Sequence, residues 1–377
     1  MKALFISAHD FRSLRRASVH FIAGEMAARC TTRFFSVGLS LLSQYRGDTR
    51  TGLASDANRL VTHQGVQCYL WKMLWHPFHI RRPGLRRMEA AMFRAYRTMV
   101  PAIPQQWLRD SNIVFIESGL AVIFIEDIKR LNPNARIIYL ASDELDVIDC
   151  AATIKSEFKR NFDKIDTVRL PSQYMAESMP HSRTSILVPH GVDRSIAAKA
   201  YPNPYGPRRS CVAVGSMLFD ASFFRIAAAA FPDLDFHVIG AGRAAADLKG
   251  HNIIIHPEMA YAATLPYVQH AAFGVAAYRH DNSPRYLIDT SLKLRQFGLF
   301  SIPAVCPYFA LGTASGRFGY TPGDAASIAS AVSAALSNRA PIIDTSQSWS
   351  EVVDRLLSPA DFPDTKLWVA PAEDCIA

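Results

Sequence analysis

A glycine turn behind an apolar run, Val212-Ala-Val-Gly215-Ser216-Met217, is followed along the chain by Glu258, by Tyr278 and by Ser291-Leu292-Lys293-Leu-Arg-Gln296. Glycine lets backbone amides approach a phosphate, and at a helix start those amides and the macrodipole favour its oxygens. A carboxylate such as Glu258 can accept hydrogen bonds from ribose hydroxyls. A lysine such as Lys293, behind the capping residues Asp289 and Thr290, can neutralise a diphosphate as negative charge gathers on a leaving group. Taken singly, the turn serves any strand-to-helix junction and the lysine could simply face water. Together these residues describe a nucleotide site.

Three further stretches could do chemistry. Ala141-Ser142-Asp143-Glu144 directly follows an apolar run, where a carboxylate at the carboxyl end of a parallel strand can take a proton from a sugar hydroxyl, or can equally cap a helix. Ser7-Ala8-His9-Asp10-Phe11-Arg12 stands in the same relation to the first apolar run, with Arg15 and Arg16 beyond, and could touch an acceptor's diphosphate or sugar, or form a solvated loop. Gly240-Ala-Gly242-Arg-Ala-Ala245 fits G-x-G-x-x-A, with Glu258 18 residues on. That spacing makes an NAD(P)-dependent oxidoreductase the alternative, although the motif follows the second strand of its domain rather than the first. Metal chemistry finds no support: Asp233-Leu-Asp235 runs from a proline turn into a strand, and His76 and His79 lack the intervening glutamate of H-E-x-x-H. No cofactor or metal is expected.

To position such residues the chain alternates short β-rich runs with helix-like stretches, the pattern of parallel sheets covered by helices. The expected strands are 2–7, 33–37, 67–71, 113–117, 136–140, 167–170 and 185–188, then 211–215, 235–239, 252–256, 274–277 and 302–306. Ala200-Tyr-Pro-Asn-Pro-Tyr-Gly-Pro-Arg-Arg209 can continue neither helix nor ladder and marks the domain boundary and hinge. The expected architecture is α/β: two Rossmann-like domains, 1–200 for an acceptor and 201–347 for a nucleotide sugar, facing across a cleft at their strand carboxyl ends. Residues 348–377, with helical spacing over Trp349–Leu357, are expected to return to the first domain.

At 377 residues and 49% apolar composition the chain can bury two ordinary cores. A net charge of +8 favours an anionic partner without choosing among nucleotide, lipid headgroup and nucleic acid. A basic module that binds lipid or nucleic acid without chemistry is therefore a third candidate. Cys30, Cys68, Cys150, Cys211, Cys306 and Cys375 stand far apart with no C-x-x-C pair, which suits reduced thiols in a cytosolic protein. The apolar start before His9 is too short for a signal peptide, and no run reaches the ~20 apolar residues of a membrane span. Between Trp71 and Arg97 seven basic side chains meet one acid, Glu89. At helical spacing Arg86, Arg87, Arg94 and Arg97 fall on one side and Leu85, Met88, Met92, Tyr96 and Met99 on the other. With Trp71, Trp75, Phe78 and Ile80 before it, this segment suits the surface of an anionic membrane, or an ordinary helix burying its apolar side.

Many short words in order carry a family likeness. They are Ser7-Ala-His-Asp-Phe-Arg12, Thr32-Arg-Phe-Phe-Ser36, Ala141-Ser-Asp143, His190-Gly-Val-Asp193, Val214-Gly-Ser-Met-Leu-Phe-Asp220, Phe236-His-Val-Ile-Gly240, Pro303-Ala-Val-Cys-Pro307 and Arg317-Phe-Gly-Tyr-Thr-Pro-Gly323. Through them most of the chain resembles the GumK-like family, the membrane-associated glucuronosyltransferases of xanthan assembly, metal-independent inverting enzymes of the GT-B type. The resemblance implies UDP-glucuronate as donor, a polyprenyl diphosphate-linked oligosaccharide as acceptor and no nucleic acid. It also implies exopolysaccharide synthesis at the cytoplasmic face of the inner membrane, with the enzyme peripheral. Carried over residue by residue, Asp143 matches the catalytic base, and Met217, Glu258, Met259, Tyr278, Lys293 and Gln296 match donor contacts. Gly215 and Ser216 would add amides to the diphosphate. Leu292 stands where the family leads one to expect methionine, a mild change of similar volume. Leu140 stands where an arginine is expected, which removes a charge beside the base.

Overall fold

The computed structural model of the chain describes residues 1–180, 185–279, 283–362 and 364–365. It divides into two compact units, Met1–Pro189 together with the chain from Trp349 onward, and His190–Ser348.

The first unit is built on an eight-stranded sheet ordered β3-β4-β2-β1-β5-β6-β7-β8. Its strands are β1 (Lys2–Ser7), β2 (Thr31–Ser40), β3 (Leu60–His63), β4 (Val66–Met73), β5 (Ile113–Glu117), β6 (Arg136–Leu140), β7 (Thr167–Leu170) and β8 (Ser185–Leu187). All pairings are parallel except β3 with β4. The strands read as unbroken apolar runs because helices cover both faces, and Ile113–Glu117 is buried at every position. Helix Ser18–Ala27 shows the complementary period, burying Val19, Ile22, Ala23 and Met26. Because β1 pairs with β2 on one side and β5 on the other, the chain reverses direction across the sheet there. A crevice opens at the carboxyl ends of strands on either side of such a switch.

The second unit repeats the plan with six parallel strands ordered β11-β10-β9-β12-β13-β14. They are β9 (Ser210–Val214), β10 (Asp235–Ile239), β11 (Ile253–His256), β12 (Phe273–Val275), β13 (Ala304–Pro307) and β14 (Arg317–Tyr320). Its switch lies between β9 and β12.

Two strands escape the sequence pattern. β3 is a half-exposed edge strand that returns antiparallel onto β4 through Gln64 and Gly65, at φ 47° and 78°. β14 is only four residues long and includes Gly319. The division between units falls at Pro189/His190 rather than within 200–209. Val192 forms a bridge with Ser348, and the Pro-rich stretch is tied to helix Tyr261–His270. There the Tyr201 amide donates to Gln269 at 2.8 Å and the Tyr205 hydroxyl to the Tyr267 carbonyl at 2.6 Å. Helix Trp349–Leu357 lies on helix Ser18–Ala27: Trp349 stacks on Phe21 at 4.9 Å, Arg29 pairs with Asp354, and Arg136 donates to the carbonyl of Leu356 at 2.9 Å. The expected return of 348–377 extends beyond the described residues at 366–377.

Candidate active site

In the first unit the carboxyl ends of β1, β5 and β6 gather one polar cluster. Glu117, the last residue of β5, is buried and accepts hydrogen bonds from Ser7 and from Ser142 Oγ, the latter at 3.0 Å. Nε2 of half-exposed His9 stands 4.0 Å from Glu117 Oε1, and the His9 amide donates to Ser7 Oγ at 2.8 Å. Ser118 Oγ accepts the Asp143 amide at 3.0 Å. Residues 117 and 118 thus clamp 142 and 143, setting the Asp143 carboxyl, half-buried, at the strand ends. Glu117 was not foreseen as a site residue. Its sequence signal is an acid ending a wholly apolar strand.

Asp10 and Arg12 serve a different purpose from acceptor binding. The Asp10 carboxylate is fully buried, bound by Arg12 Nε at 2.9 Å, by the Arg12 amide at 3.0 Å and by Ser36 Oγ at 2.9 Å. Burial alone would lift this carboxyl, but Arg12's hydrogen bonds and charge outweigh it and hold the group below the usual range. His20 completes the brace, its Nε2 donating to the Asp10 carbonyl at 2.9 Å while burial drives the imidazole down to about 3 and so keeps it neutral. The loop from 8 to 17 is therefore a built wall, and of His9, Asp10 and Arg12 only His9 presents an exposed side chain.

In the second unit the nucleotide candidates converge on the β9/β12 switch. Gly215 turns the chain at φ 89°, and residues 218–220 run back along the extension of β12: Phe219 bridges Tyr278, and the Asp220 amide donates to the Ala277 carbonyl at 3.1 Å. Met217 is left 58% exposed at the tip. The Tyr278 hydroxyl shares a hydrogen bond with Ser291 Oγ at 2.6 Å, and Ser291 caps helix Leu292–Leu299 by accepting the Leu294 amide at 3.3 Å. Lys293 Nζ lies 4.9 Å from the centre of the Tyr278 ring. Among the described residues no acid forms an ion pair with Lys293, and burial lowers its ammonium to about 8. Gln296 Nε2 donates to the Tyr261 hydroxyl at 3.4 Å, and Met259 packs on the apolar cluster that holds Tyr278 and Leu294. Glu258 lies beside Gly240, where an added Cβ would meet its Cα at 3.6 Å. Half-buried Leu292 opens the helix.

Gly274 allows this arrangement. A Cβ there would lie 2.4 Å from the Phe297 ring, so only glycine lets the Lys293 helix sit this close to β12.

Two expectations for the diphosphate change. The Gly215 amide donates to the Ile239 carbonyl at 2.8 Å, within the β9–β10 ladder, and is not available to a phosphate. Helix Ala221–Ala230, which follows the turn, already holds a carboxylate at its N-terminus: Asp220 accepts from Ser222 N at 2.9 Å. The serine-capped helix that carries Lys293 has, by contrast, a neutral cap and no acid in its first turn.

Residues 5–171 match the family described as glucuronosyltransferase GumK, N-terminal domain. The chain is also 45% identical over 370 residues to the UDP-glucuronate:glycolipid 2-beta-glucuronosyltransferase of Xanthomonas campestris pv. campestris, spanning 98% of this chain and 92% of that protein. The chain belongs to the GumK glucuronosyltransferase family. Solved structures extend the likeness in fold alone. An alpha,alpha-trehalose-phosphate synthase (UDP-forming) from Burkholderia xenovorans, 11% identical, matches over 95% of this chain and 96% of its own with a TM-score of 0.57. A UDP-N-acetylglucosamine 2-epimerase, 8% identical, matches over 96% and 97% with a TM-score of 0.54. The architecture is thus the two-domain α/β fold of the GT-B type.

For this GumK-family member the oxidoreductase alternative loses its ground. Gly240 and Gly242 follow β10, and what they open is a four-residue 3₁₀ turn, Gly242–Ala245, rather than the α-helix whose N-terminus holds a dinucleotide's pyrophosphate. The basic helix lies where its spacing placed it, but its buried face differs. Trp71 is buried in β4, stacked on Tyr96 at 4.2 Å, and the helix begins only at Arg86. Its buried face is Glu89, Phe93 and Tyr96, with Glu89 accepting the amides of Ile80 at 2.7 Å and Thr153 at 3.0 Å. Arg97 is engaged inward by Asp127 at 2.7 Å and Glu126 at 3.0 Å. Outside remain Leu74, Trp75, Phe78, Leu85, Met88 and Met99, with Arg81, Arg82, Arg86, Arg87 and Arg94 among them. Among the described residues no helix is long and apolar enough to cross a membrane, and no three His, Cys, Asp or Glu side chains gather as a metal site.

Proposed function

We propose that this protein transfers glucuronate from UDP-glucuronate to a hydroxyl of a polyprenyl diphosphate-linked oligosaccharide, inverting the anomeric centre without a metal ion, in exopolysaccharide synthesis. Family membership supports the donor and the glycolipid class of acceptor. The observation that carries the chemistry is Lys293: a partly desolvated ammonium beside a neutral-capped helix N-terminus, unmatched by any acid among the described residues, asks for an anion and needs no cation to hold it.

In the reaction Asp143 accepts the proton of the acceptor hydroxyl as its oxygen bonds to the anomeric carbon. The bond from that carbon to the diphosphate oxygen breaks with its electron pair leaving on UDP. Lys293 and the helix N-terminus stabilise the expelled diphosphate, Glu258 takes the ribose hydroxyls, and Met217, Met259, Tyr278 and Gln296 shape the nucleotide's surroundings. Glu117, through Ser142, and Ser118 hold the base in place. The exposed apolar and basic residues between Leu74 and Met99 rest on an anionic membrane, which makes the enzyme peripheral on the cytoplasmic leaflet.

The test is a panel of UDP-sugars incubated with an extract of lipid-linked acceptors, with and without EDTA. UDP-glucuronate alone should be consumed, equally in both conditions, with UDP released. Loss of turnover in EDTA, or preference for another sugar, overturns the proposal.

A further inference from the structure

Away from Asp143, the first unit carries a groove of about 530 Å³ at the carboxyl ends of β2 and β4. Leu41, Ala57, Met73 and Leu74 form its apolar walls, and Arg59 and Lys72 line it as well. The groove is well founded: Asn58 clasps β4, its side chain accepting the Lys72 amide at 3.0 Å and donating to the Lys72 carbonyl at 2.8 Å, and its amide donating to the Leu70 carbonyl at 2.8 Å. The two cations take no part in that construction. Nearby Arg12 and Arg50 are each held by an aspartate, whereas among the described residues neither Arg59 nor Lys72 forms an ion pair. Exposed apolar residues flank the lining along the chain: Leu74, 75% exposed, is followed by Trp75 and Phe78, and Leu41 by Leu42 and Tyr45.

An apolar trough with two cations unmatched among the described residues complements an amphiphile whose anionic head carries two charges and whose tail is hydrocarbon. We propose that this groove seats the lipid diphosphate of the acceptor, the phosphates between Arg59 and Lys72 and the first isoprene units along Leu41, Met73 and Leu74. The assignment rests on the transferase proposal and adds the residues that recognise the lipid end. It also supplies a ruler. β4 and β6 are four places apart in the sheet, about 19 Å at ~4.8 Å per strand. A hydroxyl at Asp143 and a diphosphate in the groove are therefore joined through several sugar rings, and a lipid-linked monosaccharide is too short.

The experiment uses the full chain carrying Arg59→Ser with Lys72→Ser, and Arg59→Lys with Lys72→Arg as the charge-keeping control. Transfer is assayed to the lipid-linked oligosaccharide and to the same oligosaccharide as a simple glycoside lacking diphosphate and lipid. With two charge-assisted contacts removed, KM for the lipid-linked acceptor should rise about tenfold or more while kcat stays within about twofold. Kinetics on the glycoside, UDP binding and partition onto acceptor-free anionic vesicles should not change, and the control pair should keep the parental KM. An unchanged KM, or an equal rise on the glycoside, overturns the proposal. Vesicle partition falling in step with KM also overturns it, since bulk headgroups would then be the occupant. Calorimetric binding of farnesyl diphosphate, present in the parent and lost in the serine pair, reads the groove even if UDP-glucuronate is not turned over, so failure of the transferase proposal is a separate outcome.

Discussion

Replacing Lys293 with Met should weaken the ligand and strengthen the protein at once. Burial holds the ammonium at about 8 against 10.5 for a solvated lysine. At about 1.4 kcal/mol per unit, the protonated side chain costs roughly 3 kcal/mol of folding free energy at neutral pH, of which the cation–π contact with Tyr278 returns about 1. Between pH 8 and 10.5 the unfolded chain retains a proton that the folded chain has released. The penalty is therefore complete below pH 8 and fades as pH rises to 10.5, so parental stability climbs across that window. A diphosphate oxygen roughly 4 Å away, at an effective dielectric constant near 20, attracts the ammonium by about 4 kcal/mol, and this is what the ligand gains from a cost already met in folding. Lys293→Met should thus lower UDP affinity by about 100- to 1,000-fold while raising stability at pH 7 by about 2 kcal/mol, with no climb between pH 8 and 10.5. Titration calorimetry with UDP and scanning calorimetry across pH measure both. Parental UDP binding should itself weaken above pH 8 as Lys293 loses its proton, and the variant should lack that dependence. A variant that binds UDP normally, or is less stable at pH 7, refutes the reasoning.

Asp143→Asn should reduce transfer by roughly 10²- to 10⁴-fold with UDP affinity unchanged, measured by sugar incorporation and calorimetry; parental turnover rules out the base. Gly274→Ala drives a methyl to 2.4 Å from the Phe297 ring and should cost about 1–3 kcal/mol, seen as a lower melting temperature, and should weaken UDP by shifting Lys293. The arginines of the basic segment should separate. Arg97→Ser, at a side chain only 15% exposed and paired to Asp127 and Glu126, should lower melting temperature and leave vesicle binding alone. Arg86, Arg87 and Arg94 changed together to Ser should lower partition onto anionic vesicles by about 1 kcal/mol each and leave melting unchanged.

Much of this molecule could be read before its coordinates, for a physical reason. Parallel strands covered on both faces must be unbroken apolar runs, so Lys2–Ser7, Ile113–Glu117, Arg136–Leu140, Thr167–Leu170 and Asp235–Ile239 stand out at their true bounds. Edge strands face water on one side and lose that signal, which hid β3. That Gly215, Tyr278, Ser291 and Lys293 gather at one switch of the second sheet was legible because glycine, serine and lysine at a strand end or helix start imply their neighbours by local geometry. Long-range partners carry no such mark. That Glu117 would reach Ser7 and Ser142, or that Arg12 would turn inward onto Asp10, depends on which strands become neighbours. Helical periodicity likewise located an amphipathic helix at Arg86–Thr98 but misplaced its buried face. Glu89, the lone acid, is bound there by two backbone amides and displaces Met88 and Met99 to the surface.

The chain leaves its first unit at Pro189 and re-enters it at Trp349, so the second unit is an insertion whose two ends are stitched together by Val192 and Ser348. During synthesis the inserted unit has its whole sequence before the host does. The host waits for helix Trp349–Leu357 to emerge, to cover Phe21 and to accept Arg136. Residues 190–348 should therefore survive excision as a free-standing UDP-binding fragment, whereas cutting the chain after Ser348 would leave the larger piece unfinished even though every strand of its sheet is present.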